Sequence, residues 1–328
     1  MIKMKAYTFT KYGPPEKVLV CRTVDKPQPK DDEVLIKVKA AAVNDYDWCA
    51  TSGKPYSYRV FFGLFKPKKK MQSTGMEVAG IVSEVGQSVN AFKPGDRVYA
   101  DTSDDRFGSF AKFMCLKSST LHHMSENMSF EEATSLPHAS MLAYQALFEK
   151  GHLEKNQEVL INGGGGGVGS LGVQMAKLHN ATVTGVDSDD KLSKMKELGF
   201  DFVINYKKED FTKSGKKYDL ILDCKTNRSP FGYLRALKPR GKYVTIGGDS
   251  GKLLLLLAFK RLIGWITKKE LHMVMLKPNK YLNYINELYE TGKIKAVLDG
   301  PYTFEKVPWA IQYFGEARHL GKVVVTVD

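Results

Sequence analysis

A run of five glycines follows a short apolar stretch near the middle of the chain, and its spacing suits nucleotide binding. The run comes directly after Val159-Leu160-Ile161-Asn162, and Gly164, Gly166 and Gly169 match G-x-G-x-x-G. A strand-to-helix turn without side chains lets a pyrophosphate approach the N–H groups at the start of the next helix. Apolar residues then recur at helical spacing over residues 168–176, which favours a dinucleotide site over a flexible loop.

Two further features fit the same kind of site. Residues 181–186 are predicted to form a second strand that ends on Asp187, close to the offset of about 20 residues at which a carboxylate binds ribose hydroxyls. Gly247 and Gly248 end the predicted strand 242–248. They stand at the carboxyl end of that strand, where a doubly wound sheet binds its ligands.

The elements around these residues predict an α/β chain. Up to about residue 124 the sequence reads as short strands with turns between them. Residues 129–150 are predicted to be helical, with a break or a helix start at Pro137. Beyond the glycine turn, nearly continuous apolar strands alternate with helices, which indicates a doubly wound parallel sheet. The individual predictions are strands at 34–40, 77–86, 97–100, 201–205, 218–223, 242–248, 270–276 and 321–327, and a helix at 281–290.

Length and charge limit the classes of function. The 328 residues correspond to about two domains, and a hydrophobic share of 43% is sufficient for packed cores. Lys and Arg exceed Asp and Glu by 13, which suits nucleic acid, an anionic membrane or a phosphate-rich cofactor. The sequence has no zinc-finger, RNP or basic-region pattern, so nucleic-acid binding is not expected.

The N-terminus and the cysteines predict a cytoplasmic protein. Residues 1–7 run directly into strand-like sequence, without the apolar core or cleavage site of a secretory signal. The four cysteines lack C-x-x-C spacing, which predicts neither a disulfide framework nor a metal cluster. Residues 252–266 contain seven consecutive apolar residues, against the roughly 20 of a spanning helix. A cover over a pocket mouth or a subunit contact is favoured there over contact with a membrane.

Five stretches, spread over nearly the whole chain, carry the motifs of one family. They are Ala42-Val43-Asn44-Asp45-Tyr46-Asp47, Gly75-Met76-Glu77-Val78-Ala79-Gly80-Ile81-Val82, Phe92-Lys93-Pro94-Gly95-Asp96-Arg97-Val98, Gly166-Gly167-Val168-Gly169 with Val173-Gln174-Met175-Ala176-Lys177, and residues 319–324. The chain resembles the medium-chain dehydrogenase/reductase superfamily, in its zinc-free, quinone-oxidoreductase-like (zeta-crystallin-like) branch. The resemblance implies a GroES-like β-barrel catalytic domain at 1–124 with 291–328, a Rossmann dinucleotide-binding domain at 125–290, and a homodimer.

The same resemblance shows departures from the zinc enzymes. Zinc alcohol dehydrogenases of the superfamily have a cysteine ligand where Asn44 stands, and G-H-E where Gly75-Met76-Glu77 stands. An amide and a thioether are poor ligands for zinc. The four-cysteine lobe that holds a structural zinc has no counterpart between Tyr99 and Cys115. We therefore expect no metal.

Without a Lewis acid, hydride transfer to a conjugated acceptor is easier than reduction of an isolated carbonyl. In a quinone or an α,β-unsaturated carbonyl the charge moves onto an oxygen that a few hydrogen-bond donors stabilise. We expect an NAD(P)H-dependent oxidoreductase that reduces such small molecules. Two alternatives stay open: an alcohol/aldehyde dehydrogenase, which would bind zinc, and a non-catalytic interaction protein that binds nucleotide without turnover.

Three residues of the N-terminal part are candidates for the catalytic site. Asn44 is expected to hydrogen-bond toward the nicotinamide or the substrate, and the alternative is a turn asparagine bonded to its own backbone. Asp47 is expected to brace its loop, as a carboxylate there does in the family. Tyr56 is a candidate for substrate contact, or else a packed aromatic residue. The histidines, His138 among them, lack ligand spacing and are expected to be ordinary.

The choice between NADH and NADPH stays open, and the cofactor is written NAD(P)H. Asp187 favours NADH because a carboxylate repels a 2′-phosphate, and Asp189 and Asp190 add negative charge beside it. Lys191 and Tyr206 resemble positions that hold the 2′-phosphate in NADPH-using relatives of this branch.

Overall fold

The computed structural model describes residues 2–327, with the side chains of Lys70, Leu257, Arg261 and Leu262 set aside. The strands are β1 (Lys3–Thr8), β2 (Val20–Asp25), β3 (Glu33–Ala42), β4 (Glu77–Val85), β5 (Arg97–Asp101), β6 (Phe113–Lys117), β7 (His122–His123), β8 (Glu158–Asn162), β9 (Thr182–Asp187), β10 (Phe202–Asn205), β11 (Tyr218–Asp223), β12 (Leu237–Thr245), β13 (Glu270–Met273), β14 (Leu298–Tyr302) and β15 (Lys322–Thr326). The helices are α1 (Pro15–Val18), α2 (Asp45–Ser52), α3 (Arg59–Phe62), α4 (Phe130–Ser135), α5 (Pro137–Tyr144), α6 (Gly167–Lys177), α7 (Leu192–Glu197), α8 (Pro230–Ala236), α9 (Ser250–Thr267), α10 (Leu282–Glu290) and α11 (Val307–Gly315).

The chain divides into two compact units. The first contains the residues up to His138, Pro278–Glu290 and the residues from Ala296 on, and the second contains Ala139–Lys277 and Thr291–Lys295. The sequence analysis placed the divisions at 124 and 290 instead. Helix α4 joins the first unit because it packs on strands β3 and β4. Helix α10 does so because its polar side chains, such as Asn286 beside the Tyr99 hydroxyl, bond to strands of that unit.

Seven strands of the first unit form one mixed sheet. Its order is β14-β15-β3-β4-β5-β7, and β6 pairs with β3. Strands β14 and β15 run parallel to each other, and the other pairs are antiparallel. Alternate residues of β3, namely Val34, Ile36 and Val38, are fully buried in the core of this unit. Because β15 lies directly beside β3, both ends of the chain build this sheet, as the GroES-like resemblance implies.

The second unit contains the doubly wound sheet that the sequence predicted. Six parallel strands are arranged in the order β10-β9-β8-β11-β12-β13. Val159, Leu160 and Ile161 in β8 have no exposed surface, as expected when helices cover both faces. The strand order changes direction between β8 and β11. In such a sheet this switch point is where a ligand binds, outside the carboxyl ends of the strands.

Residues 250–267 form one continuous helix, α9, where the sequence analysis saw only a short apolar run. The helix begins at the N-cap Asp249, whose carboxylate accepts the N–H of Lys252 at 3.0 Å. It ends at Lys268, whose backbone is left-handed. Among the helices of residues 2–327, none combines the length and apolar composition needed to cross a bilayer.

Candidate functional site

The glycine turn joins β8 to α6 at the switch point of the second unit. The N–H groups of Gly163 and Gly164 both donate to the carbonyl of Val186, so the turn is tied to the end of β9. Gly169 needs to lack a side chain, because a Cβ there would lie 2.5 Å from the carbonyl oxygens of Gly163 and Gly164. The helix and the strand therefore pack closely around this turn.

Gly166 lacks a side chain for a different reason. It is the N-cap of α6, and a Cβ built on it would meet only one atom within 4 Å, the Gly163 oxygen at 3.6 Å. The first N–H groups of a helix have no partner inside it and attract anions. Open space in front of a helix N-terminus fits the pyrophosphate of a dinucleotide. Gly167 and Val168, the next two motif residues, are the first residues of the helix.

Polar residues at the ends of the neighbouring strands form a second, unpredicted part of this site. Asp223 ends β11, and its carboxylate accepts the side-chain amide of Asn162 at 2.8 Å and the hydroxyl of Tyr243 at 2.9 Å. It also accepts the N–H of Thr226 at 2.9 Å. In each of the strands β8 and β11, three consecutive apolar residues come directly before this polar last residue. That change of residue type at the carboxyl end is the sequence signal that would have revealed them.

Gly247 and Gly248 follow β12 at the same edge of the sheet. Both have positive φ, +145° and +129°. A Cβ on Gly248 would lie 1.9 Å from the carbonyl oxygen of Lys225, so the chain passes too close there for any side chain. The hydroxyl of Thr226 donates to the carbonyl of Gly247 at 2.6 Å, which fixes the turn.

The carboxylate of Asp187 is already bonded. One oxygen accepts the N–H of Gly165 at 2.9 Å, and the other accepts the N–H of Ser188 at 2.9 Å. The second oxygen also lies 3.5 Å from the ammonium of Lys191, and both of these side chains are less than 10% exposed. Lys191 therefore offsets the negative charge that the sequence analysis counted against a 2′-phosphate.

The other predicted nucleotide residue, Tyr206, lies beside the same strand end. Its N–H donates to the carbonyl of Asp187 at 3.2 Å, and the residue is 41% exposed. The acidic loop next to it has cationic and amide partners of its own. The side-chain amide of Asn205 donates to Asp189 at 2.9 Å, and the ammonium of Lys208 lies 3.7 Å from the same carboxylate.

In the first unit, Asn44 belongs to a buried ionic cluster. The ammonium of Lys322 lies 2.5 Å from Glu77 and also donates to the side-chain oxygen of Asn44. The side-chain amide nitrogen of Asn44 donates to Glu77 at 2.9 Å. Both polar ends of the Asn44 side chain are thus bonded to residues of this unit. Sequence reasoning included Lys322 in the family stretch at 319–324 but did not assign it a place in the site.

His138 and Asp101 extend this cluster. The N–H of His138 donates to Glu77 at 2.7 Å, and its ring Nδ1 lies 2.7 Å from the Asp101 carboxylate. Burial by itself would lower the pKa of His138, but the Asp101 carboxylate outweighs it, so the pKa is raised. Burial likewise opposes ionisation of Asp101, yet His138 and Ser103 hold its pKa below the ordinary value. His138 was expected to be an ordinary histidine, but it is part of a buried acid–base pair.

Asp47 has no exposed surface and joins two segments of backbone. Its carboxylate accepts the N–H of Asn44 at 2.8 Å and the N–H of Gly75 at 2.6 Å. The first of these bonds closes a capping box at the start of α2. Burial raises the pKa of Asp47 to about 7, against the lowering effect of the two N–H groups and of Lys322. This geometry is that of a brace for the loop.

Tyr56 stands apart from these groups. The residue is 68% exposed, and the guanidinium of Arg59 lies 4.8 Å from its ring centre. Nearby Phe61 and Phe65 are 72% and 93% exposed. The ring is therefore available to a ligand at the surface, and it is not packed into the core.

The residues at the zinc positions do not suit a zinc ion. Asn44 and Met76 offer an amide and a thioether, and the carboxylate of Glu77 is paired with the ammonium of Lys322, which repels a cation. Throughout residues 2–327, leaving aside the four side chains named above, no group of three His, Cys, Asp or Glu side chains could hold a metal ion.

Known families match two segments of this chain, and known proteins match nearly all of it. A family described as "Alcohol dehydrogenase GroES-like domain" matches residues 30–127, and one described as "Zinc-binding dehydrogenase" matches residues 198–325. A 2-methylene-furan-3-one reductase from Solanum lycopersicum is 33% identical, covering 98% of this chain and 79% of its own. An NADPH-dependent alkenal/one oxidoreductase from Arabidopsis thaliana is 32% identical over the same shares.

Solved structures agree with these matches. The quinone oxidoreductase from Coxiella burnetii superposes with a TM-score of 0.86 at 26% identity, and all of both chains is covered. Together with the parallel sheet, the GroES-like unit and the glycine turn, this confirms the predicted resemblance. The chain belongs to the medium-chain dehydrogenase/reductase superfamily, in its quinone-oxidoreductase-like branch, and is a nicotinamide-dependent oxidoreductase.

Proposed function

We propose that this protein is an NADPH-dependent reductase of conjugated carbonyl compounds, either quinones or α,β-unsaturated aldehydes and ketones. The observation that carries the proposal is the buried pair of Lys322 and Glu77 at the position of the zinc ligands. An ammonium cannot accept a lone pair from an alcohol or carbonyl oxygen, so this centre lacks a Lewis acid. The names of the reductases and oxidoreductases that resemble the chain support the same class of reaction.

The chemistry of a conjugated acceptor suits such a centre. When bound, NAD(P)H would supply the hydride for the β-carbon of an enone or for a quinone and would be left as NAD(P)+. The electron pair of the broken π-bond moves onto the carbonyl oxygen, and a proton from water completes the reduction. Because the charge is delocalised as it develops, hydrogen-bond donors suffice to stabilise it. An isolated ketone has no such delocalisation and depends more strongly on a metal or a strong acid.

In this account Asn44 and Lys322 are positioning residues. Lys322 holds the carbonyl end of the Asn44 side chain, and Glu77 holds the amide end, so the start of α2 is fixed against β15. Asp47 fixes the same loop from its backbone. Rigid placement of a loop is a known contribution to rate, because misplacement of reacting groups by about 1 Å costs large factors.

We propose NADPH as the preferred cofactor for a separate reason. The carboxylate of Asp187 accepts two backbone N–H groups and is paired with Lys191, so it is poorly placed to accept ribose hydroxyls as an NADH-selecting acid does. The ammonium of Lys191 is a suitable partner for a 2′-phosphate, and Tyr206, which is 41% exposed, bonds through its N–H to the carbonyl of Asp187 at the same strand end.

The proposal is tested by measuring cofactor oxidation with NADPH and NADH, each against a quinone, an enal, an enone and a saturated ketone. We expect turnover with the conjugated acceptors, and a higher kcat/KM with NADPH than with NADH. Turnover confined to the saturated ketone would contradict the class of acceptor. Tight cofactor binding without turnover of any acceptor would instead favour a non-catalytic role.

A further inference from the structure

Helix α9 has apolar side chains on two sides, and only one of these sides is covered. Leu256 and Ile263 are buried in the second unit. Since each residue turns the helix by about 100°, the exposed apolar residues fall within one sector of roughly 140°. They are Leu254, Leu255, Ala258, Phe259, Trp265 and Ile266, and Trp265 is the most exposed of them at 84%. We call these six residues the α9 stripe.

The stripe continues onto the neighbouring helix. Phe231 in α8 is 63% exposed, and its ring centre lies 6.3 Å from that of Phe259. Single exposed apolar side chains are common on protein surfaces, but a continuous row along an 18-residue helix is not. Such a surface indicates a partner or a membrane that covers it.

The charged residues of α9 and of the two positions after it are all cationic, while Asp249 and Glu270 flank this segment. From Ser250 to Lys269 the sequence contains five cations and no Asp or Glu. In the described part of the chain, no carboxylate pairs with Lys252, Lys260, Lys268 or Lys269. The ammonium groups of Lys252 and Lys269 bond to the backbone carbonyls of Asn227 and Leu234, which leaves their positive charges in place.

This charge pattern decides between two occupants. A second copy of the same helix would bring a second segment with a net positive charge beside this one, and like charges across an interface oppose association. An anionic bilayer complements the cations with its headgroups and receives the apolar side chains below them. A tryptophan at the rim of an apolar surface is also typical of the membrane–water interface.

We propose that α9 docks the protein onto bilayers that contain anionic lipid, with the helix lying in the plane of the headgroups and the α9 stripe facing the acyl chains. The helix does not cross the bilayer, in agreement with the finding on membrane-spanning helices above. This inference reverses the preference expressed for residues 252–266 in the sequence analysis. It does not depend on the proposed function, because binding to lipid is measured without any acceptor.

The test is flotation of the intact protein with vesicles of phosphatidylcholine alone and of phosphatidylcholine with about 30 mol% phosphatidylserine. We expect the protein to float with the anionic vesicles and not with the neutral ones. The double variant Leu254→Asp/Trp265→Asp should reduce the bound fraction by at least about tenfold. The control Leu178→Asp/Phe202→Asp changes the charge equally, at exposed apolar positions of the same unit, and should bind like the wild type.

A second readout follows the helix directly. Tryptophan emission should shift to shorter wavelength on addition of anionic vesicles, and Trp265→Phe should remove most of that shift while binding persists. A thermal unfolding transition like that of the wild type, followed by circular dichroism, shows that each variant is folded. The proposal is overturned if the wild type does not bind anionic vesicles, or if the α9 double variant binds as well as the control. It is also overturned if that variant changes the oligomeric mass, because a second copy would then cover the stripe.

Discussion

The ammonium of Lys322 lies 2.5 Å from the carboxylate of Glu77, and neither side chain is more than 7% exposed. The two residues are far apart in sequence and meet because β3 pairs with β15 on one side and with β4, which begins at Glu77, on the other. In that antiparallel register Val324 faces Ala42, which brings Lys322 opposite Asn44. A fixed cation–carboxylate pair therefore fills the place that a metal and its ligands take in the zinc enzymes of the superfamily.

The contributions of Lys322 and Glu77 to stability should depend strongly on each other. Lys322→Met leaves the Glu77 carboxylate buried without its partner, which should lower the free energy of unfolding by about 3–5 kcal/mol. The double variant Lys322→Met/Glu77→Gln removes both charges and should lose less than Lys322→Met alone. Urea denaturation of Lys322→Met, Glu77→Gln and the double variant measures the coupling energy between the two side chains.

Lys3 provides the matched control for this experiment. It forms a pair with Asp25 at 2.7 Å in which both side chains are more than half exposed. Lys3→Met should change the free energy of unfolding by less than about 1 kcal/mol. Equal losses for Lys3→Met and Lys322→Met would mean that burial of the second pair has no energetic consequence.

Asp47 predicts a dependence of stability on pH. Its pKa rises from the ordinary 3.8 to about 7 on folding, so the folded protein holds a proton there that the unfolded chain has lost. Stability should therefore decline as pH rises from about 4 to about 7, by an amount on the order of 4 kcal/mol from this group. Above about pH 7 Asp47 is ionised in both states, so its effect on stability no longer changes with pH.

Asp47→Asn isolates this effect. The variant loses a hydrogen bond to Gly75 or Asn44 at every pH, but it has no charge to bury. Relative to the wild type, the variant should be more stable at about pH 8 than at about pH 5. If the difference in stability between variant and wild type is the same at both pH values, Asp47 does not titrate in this range.

Lys191 should determine the choice of cofactor. If its ammonium binds the 2′-phosphate, Lys191→Met should lower the ratio of kcat/KM for NADPH to that for NADH by about tenfold to a hundredfold. Loss of the cation also exposes the charge of Asp187 to the phosphate. Lys194→Met, an exposed lysine on α7, should leave the ratio unchanged. An unchanged ratio in Lys191→Met would contradict the preference for NADPH.

Two glycines of the turn should respond differently to alanine. Gly166→Ala places a methyl group in open space in front of α6, so stability should change by less than about 0.5 kcal/mol. Its Kd for NADPH should still rise at least about tenfold, because the methyl group occupies the approach of the pyrophosphate. Gly169→Ala forces a contact with backbone oxygens and should also destabilise the protein by about 1–3 kcal/mol. Isothermal titration and urea denaturation separate the two effects.

Much of the fold could be predicted because its signals are local. The apolar run before the glycines and the alternation of strands and helices both lie within short windows of sequence. The glycine turn and Asp187, at the edge of the parallel sheet where the nucleotide is expected, could be predicted for the same reason. Asn162 and Asp223 each had a local signal, a polar residue directly after an apolar run. Their bond to each other could not be predicted, because it joins residues 61 positions apart on adjacent strands and only the strand order brings them together.

The cluster around Asn44 shows more clearly what sequence alone could not predict. The motif comparison pointed to Asn44 and Glu77, but the partner that holds both is Lys322, 278 residues beyond Asn44. A lysine in a strand is usually taken as solvent-exposed, and only the pairing of β15 with β3 shows that this one is buried. The exposure of the α9 stripe was likewise beyond prediction, since an apolar run gives no information about which face is covered.

The most direct test of the proposed reaction follows the hydride itself. NADPH carrying deuterium at the transferable position of C4 is incubated with the protein and an enone, and the product is examined by NMR. We predict a saturated ketone with deuterium on the former β-carbon and no deuterium on the carbonyl carbon. An allylic alcohol with deuterium on the carbinol carbon would contradict the account, because the enzyme would then reduce the carbonyl group itself.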